Sequence, residues 1–226
     1  VWLAVPDGHQ DSPLMKPDRQ AGLELQGYSG DTFNQRPTFN LEGINVKVIR
    51  PQDMPLQVAN GNFDLAITGK DWLRDHLYRF PSSPATELVD LGFGKVKVVA
   101  VVSQDLPVAD IDDLKQLVQV GQLSPLRVAS EYINIADKYL RDNHVSQYKL
   151  IPTWGASEAF LPEDADLLIE NTQTGTTLAK HNLKIIDTLF QSTACLIGNK
   201  NSLESPIKRE KITSLVKTFR HTVEGN

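Results

Sequence analysis

Ala165-Asp166-Leu167-Leu168-Ile169-Glu170-Asn171-Thr172-Gln173-Thr174-Gly175-Thr176-Thr177-Leu178 reads as a short apolar strand that runs through an acidic residue into a Thr/Gly-rich turn and a helix start. Such a turn directs several backbone N–H groups and three hydroxyls toward one spot, and unpaired donors at a helix N-terminus favour an anion such as phosphate. Glu170, five residues before Gly175, falls at the strand's C-terminal end, where its carboxylate can accept hydrogen bonds from sugar hydroxyls. A phosphate cradle beside a hydroxyl acceptor suggests a phosphorylated sugar. A buried strand followed by an N-capped helix is the other reading of the same residues.

The strand–turn–helix unit recurs along the chain. Val46–Ile49 and Phe63–Ile67 have strand character, with a helix from about Gln52 to Ala59 between them that ends at Asn60-Gly61. A second helix should follow Thr68-Gly69. Val96–Val102 is an almost unbroken β-branched run, the pattern of a strand buried on both faces. Helices at Ile111–Val120 and Asn134–Arg141 alternate with strands at Leu126–Ala129 and Lys149–Ile151. After Gly175 come a helix, a long apolar stretch from Ile185 to Ile197, and an amphipathic helix beyond Ser202 with Ile212, Leu215, Val216, Phe219 and Val223 on one face. This alternation means α/β architecture with mostly parallel sheets. Tyr78-Arg79-Phe80-Pro81-Ser82-Ser83-Pro84 has linker composition near a change from one βαβ series to another, which predicts two lobes with a central cleft. Ligands of such folds bind beyond the carboxyl ends of strands, where the Thr174–Thr177 turn falls.

Composition narrows the function classes. The 226 residues are 40% hydrophobic and 23% charged, as in ordinary globular proteins, and no apolar run approaches the roughly 20 residues that span a membrane. The net charge of −5 argues against nucleic acid as the main partner. Cys195 is the only cysteine, which fits a reducing cytoplasm, and its apolar surroundings predict a buried structural thiol. The chain begins at Val1 without Met, and no signal peptide is visible. The five histidines are scattered without ligand spacing, so no protein-built metal site is expected and a divalent cation would arrive with a phosphate ligand. Glu163, Asp164 and Asp166 cluster after Pro162 as a solvated approach to the strand.

Familiar catalytic motifs fail. Gly92-Phe93-Gly94 precedes a strand and is no dinucleotide fingerprint. There is no P-loop, no G-x-S-x-G elbow and no Ser/His/Asp set suited to acyl transfer. Ala66-Ile67-Thr68-Gly69-Lys70-Asp71 does repeat the strand, Thr-Gly, helix arrangement, giving a second candidate anion or nucleotide site alongside the plain helix-cap reading. Arg50 follows the Val46–Ile49 strand and offers a phosphate clamp, or an ordinary surface arginine. In Trp154-Gly155-Ala156-Ser157-Glu158, Gly155 would let a ligand approach the backbone closely.

Seven collinear segments resemble the catalytic part of the ATP phosphoribosyltransferase family of histidine biosynthesis. They are Ile49–Pro55, Asp64–Trp72, Asp90–Gly94, Arg127–Tyr132, Trp154–Glu158, Glu170–Leu178 and Ile186–Leu189. The resemblance implies a two-lobed fold similar to type II periplasmic binding proteins. Residues 1–94 plus 186–226 would form a lobe on the nucleotide side, and residues 95–185 one on the phosphoribosyl pyrophosphate side. It implies that Glu170 holds the ribose hydroxyls, while Asn171, Thr172 and the Thr174-Gly175-Thr176-Thr177 turn complete the phosphoribosyl pyrophosphate site. Arg50, Thr68, Gly69, Asp71 and Glu158 would line the ATP side. The reaction would join N1 of ATP to C1 of the sugar and expel pyrophosphate, with Mg²⁺ carried by the substrate. Such a displacement needs positioning and charge stabilisation, not a nucleophile–base pair.

The family's first loop usually reads Pro-Lys-Gly-Arg/Ser; here it is Pro6-Asp7-Gly8-His9. Asp7 replaces a cation facing two polyanions, a change worth about a kcal/mol or more at a few ångströms unless His9, Lys16 or Arg36 compensates. A non-catalytic or regulatory relative, or a two-lobed anion-binding module, is therefore the alternative. The length resembles the family's short form, which works with a histidyl-tRNA-synthetase-like regulatory subunit; homo-oligomerisation is also expected.

Overall fold

The computed structural model describes residues 1–7, 25–26 and 36–224. In chain order the elements are β1 (Trp2–Pro6), β2 (Leu25–Gln26), β3 (Thr38–Phe39), β4 (Asn45–Ile49), α1 (Met54–Ala59), β5 (Leu65–Gly69), α2 (Lys70–Arg79), β6 (Ala85–Asp90), β7 (Val96–Ser103) and α3 (Ile111–Gln119). They continue with β8 (Leu126–Ser130), α4 (Ile133–Asp142), β9 (Tyr148–Pro152), β10 (Leu167–Thr172), α5 (Thr176–Lys180), β11 (Leu183–Ser192), β12 (Ala194–Asn199), α6 (Lys200–Glu204) and α7 (Arg209–Glu224).

The chain forms two compact units, Val1–Gly94 with Thr193–Asn226, and Lys95–Ser192. Residues 186–192, expected from sequence in the first lobe, belong to the second unit. The reason is backbone pairing: β11 stays hydrogen-bonded to β7 as far as Ser192 opposite Val96. The linker-like residues 78–84 lie inside the first unit and connect α2 to β6.

The first unit's sheet has the order β4-β1-β5-β12-β6, with β12 antiparallel to both neighbours. Alternate side chains serve opposite faces, as the two-residue period of a strand requires. Leu3, Val5, Leu65, Ile67 and Leu196 pack with Ile212, Leu215 and Phe219 of α7. Ala4, Ala66, Cys195 and Ile197 pack on the other face with Met54 and Val58 of α1 and Leu73 of α2. Cys195 is fully buried, and burial pushes its thiol pKa well up, consistent with an inert packing role. The single helix expected after Ser202 is two helices; the residue before Pro206 is disfavoured in the α region, so α6 ends at Glu204 and α7 begins at Arg209.

The second unit's sheet, β11-β7-β10-β8-β9, repeats that topology. Here β8, β9 and β10 occupy the places of β1, β4 and β5, and β7 is the one reversed strand. In each sheet the reversed strand is the one entered after the chain crosses from the other unit. Val98 to Val102 are all fully buried, as a centrally placed strand covered on both faces requires.

Candidate functional site

Three parallel strands of the first unit end side by side. Pro6 of β1 is registered with Ile49 of β4, and the Asp7 N–H donates to Ile49 O at 3.2 Å, so Asp7 and Arg50 leave adjacent strand ends. Both side chains are exposed, and Arg50 Nε donates to Asp53 Oδ2 at 3.3 Å. Thr68, near the end of β5, is buried and its hydroxyl donates to Pro51 O at 2.8 Å, tying β5 to the turn after β4. Gly69 leaves room for the Asp71 carboxylate, which a Cβ there would force to move. Asp71 is itself buried in the first turn of α2. Next to it Lys70 Nζ bonds Asp90 Oδ2 at 2.7 Å and Glu87 Oε1 at 3.1 Å. Gly8 and His9 lie outside the described residues.

The second unit gathers its groups in the same way. Ser130 is registered with Ile169 on one side and Pro152 on the other, which brings together the strand exits at Glu131, Thr153 and Glu170. The buried Ser130 hydroxyl donates to Ile169 O at 2.7 Å and accepts the Tyr132 N–H at 2.8 Å. Glu170 lies within β10 instead of at its end, because pairing with β7 continues to Thr172 after parallel pairing with β8 has stopped at Ile169. Its Oε1 accepts the Asn171 N–H at 2.8 Å and Asn171 Nδ2 at 3.2 Å, and Asn171 Nδ2 also donates to the buried Tyr132 phenol at 2.8 Å.

Burial pushes the Glu170 pKa up to about 7; the Asn171 N–H and Ser157 hydroxyl work against the rise, while the nearby Glu131 and Glu158 carboxylates add to it. Glu158 Oε1 lies 3.9 Å from His181 Nε2. Beyond Glu170 the Gly175 N–H donates to Thr172 Oγ1 at 2.8 Å, and the Thr174 and Thr176 hydroxyls meet at 2.8 Å. Gly175 has φ 76°, a left-handed conformation natural to glycine, and turns the chain into the first turn of α5. That turn presents Thr176 and Thr177, both exposed, with N–H groups that have no intrahelical partner.

Asn171, Thr172, Thr174, Gly175, Thr176 and Thr177 thus share one edge with Glu170. Glu158 belongs to that edge too, not to the unit that holds Arg50, Thr68, Gly69 and Asp71. Glu131, Tyr132 and Ser157 are additional participants that the sequence reading did not single out as site residues. Glu131 could have been found by the rule that flagged Arg50, since it directly follows a strand. Asp166, read as part of a solvated acidic approach, instead pairs with Arg127: Oδ1 accepts Nη2 at 2.7 Å and Oδ2 accepts the backbone N–H at 2.8 Å. Among the described residues no group of three His, Cys, Asp or Glu side chains is arranged as a cation cage. No helix among them is long and apolar enough to cross a membrane.

Residues 50–221 match the ATP phosphoribosyltransferase (HisG) family. The chain belongs to that family. It is 32% identical to the ATP phosphoribosyltransferase of Chlorobaculum parvum over 99% of this chain and 71% of that protein. Identity to the ATP phosphoribosyltransferase of Methanocaldococcus jannaschii is 36%, over 96% and 70%. The fold superposes on a chain of the ATP phosphoribosyl transferase (HisG:HisZ) complex from Thermotoga maritima with a TM-score of 0.76, 20% identity and full coverage of both chains. The periplasmic aliphatic sulphonate binding protein SsuA of Escherichia coli shares the fold at a TM-score of 0.55 and 14% identity, over 99% of this chain and 68% of that one. The chain therefore has the periplasmic-binding-protein type of α/β fold, and as an ATP phosphoribosyltransferase family member it is a transferase of histidine biosynthesis.

Proposed function

We propose that this chain joins N1 of ATP to C1 of phosphoribosyl pyrophosphate and releases pyrophosphate. Family membership across most of the chain supports the reaction, and the observation that carries the site assignment is the edge running from Glu170 to Thr177. Glu170 accepts hydrogen bonds from the ribose hydroxyls. The Thr174–Thr177 hydroxyls and first-turn N–H groups take the 5-phosphate. As the C1–oxygen bond to pyrophosphate breaks and the N1–C1 bond forms, positive charge grows on the sugar. The carboxylates of Glu170, Glu131 and Glu158 favour that charge, while positioning supplies the rest.

Arg50, Thr68, Gly69 and Asp71 serve the ATP and leaving-group side. Mg²⁺ carried on phosphoribosyl pyrophosphate would supply charge neutralisation of the departing pyrophosphate. We further propose a cytoplasmic homo-oligomer that works with a HisZ-like, histidyl-tRNA-synthetase-related subunit, a reading supported by the Thermotoga maritima complex.

The test is an absorbance assay for N1-phosphoribosyl-ATP with ATP, phosphoribosyl pyrophosphate and Mg²⁺, run with and without such a partner. Product in either condition is expected; its absence in both, with ligand binding intact, would overturn the reaction. Asp7 favours a non-catalytic relative as the second reading. Asp7→Lys separates the two, because an inactive wild type rescued by the lysine would identify Asp7 as the lost function.

A further inference from the structure

Trp154 directly follows β9 and is 78% exposed, an unusual state for the largest side chain in the chain. It stands on an anchored turn. The buried Thr153 and Ser157 hydroxyls meet at 2.8 Å across the base, and the Gly155 N–H donates to Glu131 Oε1. The Ser157 hydroxyl lies close enough to favour the Glu170 carboxylate, so the turn that carries Trp154 sits beside the group assigned to the sugar. The bend itself uses left-handed backbone at Gly155, φ 87°, and Ala156, φ 49°. The indole adds little to the core and is carried on a turn tied to Glu131.

We propose that Trp154 is the stacking platform for the aminopurine ring of the nucleotide substrate. This rests on the reading that N1 of ATP attacks the sugar held at Glu170. Stacking needs a flat π-face, which a purine supplies and a sugar phosphate does not. Glu131 accepts the Gly155 N–H, and Glu158 follows Ser157 in the same turn. The same carboxylates are acceptors for an exocyclic amino group and other ring-bound donors. Trp154 thus sets the preference for an aminopurine at the attacking end of the substrate.

Tryptophan fluorescence tests this directly, since Trp2, Trp72 and Trp154 are the three tryptophans and Trp154→Phe isolates the third. ATP and AMP should quench the wild type, and the Trp154→Phe variant should lose most of that signal. Pyrophosphate alone should quench neither protein. In the product assay Trp154→Ala should raise KM for ATP about tenfold, with kcat and the KM for phosphoribosyl pyrophosphate within twofold. Trp154→Phe, which keeps a flat ring, should recover KM for ATP to within about threefold. Equal ATP quenching in wild type and Trp154→Phe, or an unchanged KM for ATP in Trp154→Ala, would overturn the proposal while leaving the reaction intact. Absent turnover with Trp154-dependent quenching by AMP would sink the reaction and sustain the platform.

Discussion

The fully buried phenol of Tyr132 accepts a 2.8 Å hydrogen bond from Asn171 Nδ2, and the same amide reaches Glu170 Oε1 at 3.2 Å. A core residue after β8 thereby fixes the side chain that steadies a carboxylate on β10. Tyr132→Phe keeps the ring and removes the acceptor. A lost neutral hydrogen bond costs about 1 kcal/mol, so a modest loss of stability is expected. If the bond orients Glu170, KM for phosphoribosyl pyrophosphate should rise roughly three- to tenfold while KM for ATP holds. Steady-state kinetics with each substrate varied would check this, and equal changes in both constants would refute it.

Glu170 itself predicts a pH signature. Its pKa of about 7 lies above the ordinary 4.5, so the folded protein binds the proton more tightly than the unfolded chain. The associated stability is fully present below about pH 4.5 and is lost as pH rises through about 7. Glu170→Gln cannot ionise. It should be more stable than wild type at pH 8 by roughly 1–2 kcal/mol, less than the full shift implies because the carboxyl keeps some contact with solvent. Sugar-phosphate binding runs the other way, since accepting hydroxyl donors needs the carboxylate. Wild-type affinity for phosphoribosyl pyrophosphate should improve close to tenfold from pH 6 to pH 8, and the glutamine variant should be weak and nearly pH-independent. Calorimetric titration and urea melts at both pH values would show whether the two trends oppose each other.

Some of the site was legible in the sequence and some was not, and contiguity divides the two. Glu170, Thr172 and the Thr174–Thr177 turn are contiguous, so strand-turn-helix chemistry is written in one segment. Glu131, Tyr132 and Ser157 reach Glu170 only through the register that sets Ser130 beside Ile169 and Pro152. No local pattern carries that register. The same distinction holds for the fold. The β-branched run of β7 and the apolar face of α7 declare themselves, and the buried Ile212, Leu215 and Phe219 are three of the five residues expected on that face. Strand β6 does not: it carries Glu87 and Asp90, which pair with Lys70, and lies at the sheet's edge where apolar alternation is weak. The second sheet's repetition of the first one's strand order left no sequence repeat, because topology constrains burial and direction but not residue identity.

Gly69 offers a test of the first unit. Its φ of −80° suits any residue, so the need for glycine comes from the Asp71 carboxylate, not from backbone strain. Gly69→Ala should displace a buried carboxylate and cost about 1–3 kcal/mol. In Asp71→Ala the obstruction is gone, so adding Gly69→Ala to that variant should be nearly neutral, giving a coupling of about 1–3 kcal/mol in a denaturation cycle. Additive effects would mean that the alanine methyl meets something other than Asp71.

Asp64 makes the corresponding prediction for the fold's scaffold. It is 2% exposed, and it accepts the Trp2 N–H at 2.8 Å, the Ser202 hydroxyl at 2.6 Å and Lys208 Nζ at 2.8 Å. Burial alone would raise its pKa, but those three donors together outweigh it and hold the carboxyl below the ordinary range. One side chain therefore ties β1 to the segment that leads into α7, whose apolar face covers the sheet. Asp64→Ala strands the Trp2 N–H and leaves Lys208 to rehydrate, so the loss should be about 2–3 kcal/mol, near the lower end for breaking a buried pair. Ser202→Ala removes one donor of three and should cost about 1 kcal/mol. Because the folded pKa is depressed, the Asp64 contribution is present above about pH 4 and fades as pH falls through the folded value. The gap between wild type and Asp64→Ala in urea melts should be widest near neutral pH and close on acidification. A gap that stayed constant into acid would mean that the carboxylate's charge contributes nothing and that the side chain acts through packing alone.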